Sequence, residues 1–486
     1  MQGHERTTTA AERDPSPHPA PGPQRRPWSL LILLSVAEFM VILDVTVVNV
    51  ALPSIGRALH FAAGDLQWVV TAYVLLSGGL VLLGGRASDL VGRRRVFLAG
   101  LAVFTAASLA SGLAPSAGAL IAARAGQGLG AALLTPAALS IITTAYSGAQ
   151  RAAALSTWAA LGSGGAAAGV LAGGVLTTWL GWRSVFLVNV PVGVVAGLLS
   201  LRLVPRSAAA ARIGPELDLP GALLATAGLV TGVYAVVGAP LHGWWSGRTL
   251  LLLAASLGLL TAFAAVERSA RRPLLPPRTW RTRSLVAGAA VMLGATGILV
   301  GTFFLNSLYL QEVAGASALR TGLEFLPLVV VIGLGAHLTS RLLPRVGSRV
   351  LAVAGLVLMG GGAVLLSLVP AHAGYLTGLL PGLLVIAAGT GLVFPAASVT
   401  AMSDIADDRA GLASGLMTTG HEIGAALGVA VFSAVATTQA AAGGGFAAGY
   451  RHGFAVAAGI AAALALVAAL AIPAVRPAPG ARVAVH

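Results

Sequence analysis

The sequence has no cysteine and no lysine, and only 9% of its 486 residues are charged. Without cysteine there is no disulfide, no thiolate metal site and no thiol nucleophile. A charged fraction of 9% lies far below the roughly 25% of soluble domains, so a water-facing globular protein does not fit. No Gly-x-x-x-x-Gly-Lys phosphate loop is present, which argues against ATP hydrolysis by this chain. Nucleophile elbows and zinc-ligand spacings are missing too, and the acidic run Asp404, Asp407, Asp408 reads as a solvated loop rather than a metal site. The sequence therefore offers no catalytic residues, no metal ligands and no cofactor site, and it does not read as an enzyme.

What is present is apolar. With 57% hydrophobic residues and a mean hydropathy of +0.87, the chain reads as an all-α polytopic membrane protein. Apolar runs predict fourteen helices, near 29–52, 66–85, 95–114, 117–143, 151–178, 184–204, 218–238, 249–267, 285–311, 322–343, 349–369, 375–400, 410–437 and 452–473. The Pro-rich polar stretch 1–27 reads as a disordered cytoplasmic tail, and 475–486 as a second one.

All 30 basic residues are arginine, and the net charge is +14. Their distribution says more than their sum. With both termini placed in the cytoplasm, 24 arginines fall in cytoplasmic segments, five on the other side (Arg57, Arg183, Arg248, Arg320, Arg451) and Arg124 alone within a helix. That bias supports an even helix count and a plasma-membrane orientation with both ends inside. It also turns the basic charge toward lipid headgroups rather than nucleic acid. Trp28, Trp244, Trp245 and Trp280 fall near helix ends, as an interfacial belt would place them.

An internal repeat appears at an offset of 255 residues: Arg86, Gly92 and Arg94 match Arg341, Gly347 and Arg349, and Gly165, Gly169 and Gly173 match Gly420, Gly424 and Gly428. The predicted organisation is a six-helix bundle over 28–204, a linker with an inserted helix pair over 205–283, and a second six-helix bundle over 284–474.

Polar residues in the apolar runs are the candidates for function, because an ionisable group in the bilayer is costly and marks a transport or proton path. Helix 1 carries two, Glu38 and Asp44, the latter within Leu43-Asp44-Val45-Thr46-Val47-Val48-Asn49-Val50-Ala51-Leu52-Pro53. At about 1.5 Å per residue, Asp44 lies about 22 Å from the inner end of its helix and Arg124 about 10 Å from the outer end of helix 4, so their depths match in a core of about 30 Å. They are expected to pair across the central cavity, either as a static ion pair or as one that proton or substrate breaks. Glu38, about 14 Å deep, and Glu422, about 18 Å along helix 13, lie near the midplane where a charge costs most. Glu422 lies about 200° around its helix from the Gly420, Gly424, Gly428 stripe, so the glycines pack while the acid faces elsewhere. His421 and His337 read as bonded packing residues. Asn49, Asn189, Asn306 and Gln311 bond either substrate or neighbouring helices. Phe39, Tyr73, Trp158, Phe303 and Tyr309 pack in the core or against lipid, or else stack on an apolar substrate in the cavity.

Gly85-Arg86-Ala87-Ser88-Asp89-Leu90-Val91-Gly92-Arg93-Arg94-Arg95 joins helices 2 and 3, and Asp89 beside Arg93 and Arg94 can bond across an interface that opens during a conformational switch. In the second half Pro344 stands where Asp89 would be. This segment resembles the signature loop of the major facilitator superfamily. Leu43 to Pro53 resembles the first-helix motif of its fourteen-helix drug/proton antiporters. Arg124-Ala125-Gly126-Gln127-Gly128-Leu129-Gly130, Trp182-Arg183 with Phe186 to Pro191, and Tyr309-Leu310-Gln311 leading to Phe325-Leu326-Pro327 are similar to further motifs of that subfamily. Gly165-Ala166-Ala167-Ala168-Gly169-Val170-Leu171-Ala172-Gly173-Gly174 resembles its helix 5 motif, with Val170 where that motif has proline.

The resemblance implies alternating access between two bundles, proton-driven export of a hydrophobic or amphipathic organic compound such as an antibiotic, and a monomer in a bacterial plasma membrane. The proton gradient then takes the place of a cofactor, and Glu38, Asp44, Glu422 and Arg124 are the coupling candidates. Protons, lipids and a small organic substrate are the partners implied. Export of an endogenous metabolite or lipid without proton exchange fits the same residues, and a non-transporting sensor or scaffold is the third reading.

Overall fold

The protein is described here as a computed structural model covering residues 28–62, 65–146, 148–205, 218–270, 273, 282–370, 374–403, 405, 410–443 and 445–472. The tails, Trp280, the Asp404, Asp407, Asp408 run and most of the basic stretch between Arg268 and Arg283 lie outside the described residues.

Every described element is helical. An apolar chain in lipid satisfies its backbone polar groups only within itself, and helices do so segment by segment. The first half holds α1 (Trp28–Leu59), α2 (Trp68–Val91), α3 (Arg93–Gly112), α4 (Ala117–Ala145), α5 (Gly148–Leu180), and a sixth span split into α6 (Ser184–Leu187) and α7 (Asn189–Leu203). Next come α8 (Leu219–His242) and α9 (Gly247–Ser269). The second half holds α10 (Arg283–Leu308) continued by a π-helical turn (Tyr309–Val313), α11 (Ala318–Val346), α12 (Ser348–Ser367), a second π-turn (Tyr375–Leu379) leading into α13 (Leu380–Met402), α14 (Ala410–Ala441) and α15 (Gly445–Ala471). Among the described residues, 13 spans are long and apolar enough to cross a membrane, taking α6 with α7 and each π-turn with its helix. The 33-residue α5, apolar over Gly164–Leu180, completes the fourteen. Helix ends differ from the sequence expectation by several residues where polar groups extend a span; α1 runs on to Leu59 through Pro53.

Local chemistry sets the turns. Ser116, Ser246 and Ser317 cap α4, α9 and α11 with their hydroxyls, and Asp218 caps α8 by accepting from the Gly221 amide at 2.9 Å. Gly92 and Gly347 join α2 to α3 and α11 to α12 with φ of 103° and 85°, a conformation that disfavours any other residue. These two joints are 255 residues apart, and the repeat runs well beyond them. Adding 255 to the bounds of α3 gives those of α12, and α1 maps onto α10 with its π-turn to within one residue.

In the first bundle α4 packs on α2 and α3, and α1 on α5; in the second, α10 packs on α14 and α13 on α11 and α12. The bundles meet along two seams, α2 with α14 and α5 with α11. The inserted α8 covers the α2/α14 seam, with Gly79 leaving room for Thr226, while α9 lies outermost with 11% of its apolar window buried. Fourteen crossings put residues 28 and 471 on one face, called here the terminal face. All five arginines expected on the other side lie toward the opposite face.

Candidate functional site

Asp44 is fully buried on α1 and accepts three side-chain donors: Arg124 Nη1 at 2.5 Å on Oδ2, and Gln127 Nε2 at 3.0 Å and Asn189 Nδ2 at 2.7 Å on Oδ1. Arg124 donates further to the Val69 carbonyl at 2.8 Å and to Gln127 Oε1 at 2.9 Å, and its guanidinium lies 4.5 Å from the Tyr73 ring centroid. Ser108 and Ser111 close the network on Gln127. Burying an ion pair is costly unless its remaining lone pairs and protons are satisfied, and here they are.

The position of this pair corrects one expectation. Asp44 and Arg124 meet inside the first bundle, between α1 and α4, and not across a cavity between the halves. Matching depth does not set azimuth: Glu38 and Asp44 are six residues apart, about 600° of helix, and so point about 120° away from each other. One of them had to face into its own bundle.

Glu38 takes the other direction. It is 6% exposed and accepts the Thr135 hydroxyl at 3.0 Å, while Glu422 of the other half packs against α2. Glu422 approaches because Gly78 has no side chain: a Cβ there would lie 2.4 Å from the Glu422 Cβ. The opposite side of α14 packs on α10, where Gly424 and Gly428 would place a Cβ 2.1 Å from the carbonyls of Leu293 and Gly297. His421 bonds Thr296 at 3.0 Å and packs beside Phe394; His337 is exposed.

The helix 5 glycines let α5 press on α1: Gly165 lies against Phe39, Gly169 against Thr46 and the Leu43 carbonyl, and Gly173 against the Val47 carbonyl, whereas Gly174 meets Leu319 of α11. Toward the opposite face four polar contacts tie the halves: Ser307 Oγ to the Asn49 carbonyl at 2.6 Å, Gln311 Nε2 to the Val50 carbonyl at 2.9 Å, the Leu319 amide to Thr178 Oγ1 at 3.2 Å, and Arg57 to Glu312 at 3.8 Å. Gly322 of α11 sits against the Val170 carbonyl there. Gly333, three turns farther along the same stripe of α11, meets nothing within 4 Å. The α5/α11 seam is closed at the opposite face.

Several residues expected in the cavity are elsewhere. Tyr73 and Tyr309 are each 1% exposed, the first beneath Arg124 and the second against the Tyr450 ring at 4.6 Å. Asn49 donates to its own helix at Val45 and belongs to the closed seam. Large aromatic rings in the interior gain most by packing, and these two tyrosines do so. Phe39, Phe303 and Trp158 are half-buried, and the Trp158 ring nitrogen has no hydrogen-bond partner among the described residues. In the switch loop, Asp89 is exposed and bonds no described residue, and Arg94 donates to the Leu201 carbonyl of its own bundle at 2.7 Å rather than across the halves. The close approach there belongs to Gly84, whose Cβ would fall 2.0 Å from the Ala132 carbonyl, and not to Gly85.

The family model described as Major Facilitator Superfamily matches residues 34–429. The chain belongs to the major facilitator superfamily. Among its relatives, this facilitator is 42% identical to the puromycin resistance protein pur8 of Streptomyces alboniger over 421 residues, covering 86% of this chain and 83% of that one. It is 43% identical to the cephamycin export protein CmcT of Amycolatopsis lactamdurans over 410 residues, covering 83% and 84%. Its fold matches that of a bacterial homologue of the human lysosomal transporter Spinster in an inward-facing, occupied conformation, with a TM-score of 0.66 at 17% identity, covering 91% of this chain and 96% of that one.

For this facilitator the sequence pointed to the acids and Arg124, but not to Gln127, Thr135 or Ser108. Gln127 was visible three residues after Arg124, one helical turn away on the same face, and that spacing is the signal that finds it.

Proposed function

We propose that this protein exports hydrophobic or amphipathic organic compounds of the antibiotic class across the plasma membrane in exchange for protons, by alternating access of its two bundles. The relatives named for puromycin resistance and cephamycin export support the substrate class. The observation that supports the coupling is that each half carries an acid within an apolar span, Glu38 on α1 and Glu422 on α14, with Glu422 against Gly78 of the first bundle. An uncompensated carboxylate is costly to enclose in a closed membrane site. The bundles therefore reorient when the two acids are neutralised, by protons on one stroke and by a bound substrate on the other. Asp44 and Arg124, tied to Gln127, Asn189 and the Val69 carbonyl, position α1 against α4.

In this reading the terminal face is cytoplasmic, substrate enters between the bundles from that face, and Trp158 and Phe303 offer it a donor and an apolar ring. The chain works as a monomer with no cofactor beyond the proton gradient. The test is transport by purified protein in liposomes with an imposed pH gradient. Puromycin should move only while the gradient lasts, and transport that persists after a protonophore collapses the gradient would exclude proton coupling.

A further inference from the structure

A cavity of about 260 Å³ opens at the opposite face, within the second bundle alone. Its walls include both π-turns among the described residues, through Tyr309, Val313 and Tyr375, together with Glu324 and Arg320 of α11. π-turns cost backbone geometry and cluster at functional sites. Glu324 is 8% exposed; Arg320 Nε donates to its Oε1 at 2.8 Å, while Oε2 is buried with no hydrogen-bond partner among the described residues. The Tyr375 hydroxyl donates to the Glu324 backbone carbonyl and so fixes the second π-turn against α11. A buried acceptor left open costs free energy that a donor entering the cavity recovers.

We infer that this cavity is a second, externally facing binding site for a small aromatic amine, separate from the path between the bundles. An ammonium group supplies the donor that Glu324 Oε2 lacks, and the tyrosine-lined walls take the ring. The volume lies just below the usual range of small-molecule sites, which starts at about 300 Å³, and so admits one ring system with a short arm rather than a whole antibiotic. Occupancy also bears on the seam. The cavity wall at Val313 and Ala314 adjoins Glu312, which pairs with Arg57 of the first bundle, and Arg320 follows Leu319, which bonds Thr178. A bound amine braces these elements and holds the opposite face closed.

The test is binding of tryptamine to the full-length protein in lipid nanodiscs, with 3-ethylindole as the ring without the amine. Wild type should bind tryptamine and not 3-ethylindole. Glu324→Gln should weaken tryptamine binding by about tenfold or more, as expected for a lost charge-assisted hydrogen bond. Ala316→Leu, which fills the cavity and keeps the acid, should block it as well, and monodispersity of both variants on size exclusion checks their folding. Equal binding of both ligands, no tryptamine binding by wild type, or binding that survives Glu324→Gln but is lost in Glu38→Gln would each overturn the proposal. The readout is equilibrium binding and does not depend on whether export is proton-coupled.

Discussion

Two acids on one helix meet different surroundings because about 120° of helical rotation separates them. Asp44 has three donors and Glu38 has one, so removing each charge has different consequences. Asp44→Asn leaves Arg124 buried without a counter-charge and should destabilise the protein by about 3–5 kcal/mol, read as an earlier transition in thermal unfolding of the detergent-solubilised protein. Adding Arg124→Gln to Asp44→Asn should recover part of that loss, because the second change removes the stranded charge; a double variant as unstable as the sum of the single ones would show that the two residues are not coupled. Glu38→Gln keeps an acceptor for Thr135 and should unfold at nearly the wild-type temperature. The sequence showed that these side chains were out of place in an apolar run, and depth matched Asp44 to Arg124. It did not show which way each pointed, since azimuth is fixed by the packing of α5 on α1 through Gly169 and Gly173 rather than by anything near Asp44 itself.

At the scale of the helix, glycine is what brings elements close, and its neighbours decide what a side chain would cost. Gly428→Ala forces a methyl to within 2.1 Å of the Gly297 carbonyl, a backbone atom that cannot swing aside. It should separate α14 from α10 at a cost of about 1–3 kcal/mol. Gly361→Ala, in the middle of α12 with nothing within 4 Å, should be neutral or stabilise by up to about 1 kcal/mol. Comparing the two unfolding temperatures checks the pair, and equal losses would refute the packing described for α14. Helix number and most helix positions were readable from hydropathy, because lipid leaves an apolar chain little alternative. The split of the sixth span at Val188 and the two π-turns were not readable. Each is a change of one hydrogen bond in a ladder, made where Tyr309 and Tyr375 find partners in distant parts of the chain.

At the scale of the molecule, the 255-residue repeat supplies two similar bundles, and their differences would make the proposed transport cycle asymmetric. Asp89 has its counterpart in Pro344, and Asp44 has its counterpart in Leu299, within the apolar Ile298-Leu299-Val300. The closed face is held by contacts of Asn49, Val50, Thr178 and Leu319. A chain without cysteine allows this to be tested cleanly. In the variant Thr178→Cys with Leu319→Cys, oxidation should form a cross-link, because the Leu319 amide and the Thr178 hydroxyl are 3.2 Å apart. Transport should stop on oxidation and return on reduction, and transport that continues through the cross-link would show that this seam does not need to part.

In the proposed cycle, Glu38 and Glu422 carry the protons exchanged for substrate. Its most direct test is proton release from purified protein in lightly buffered detergent when puromycin is added, measured with a pH indicator. Wild type should release protons in proportion to bound compound, Glu38→Gln and Glu422→Gln should each release fewer, and the variant carrying both should bind puromycin without releasing any. Undiminished release from the doubly substituted protein would contradict the account.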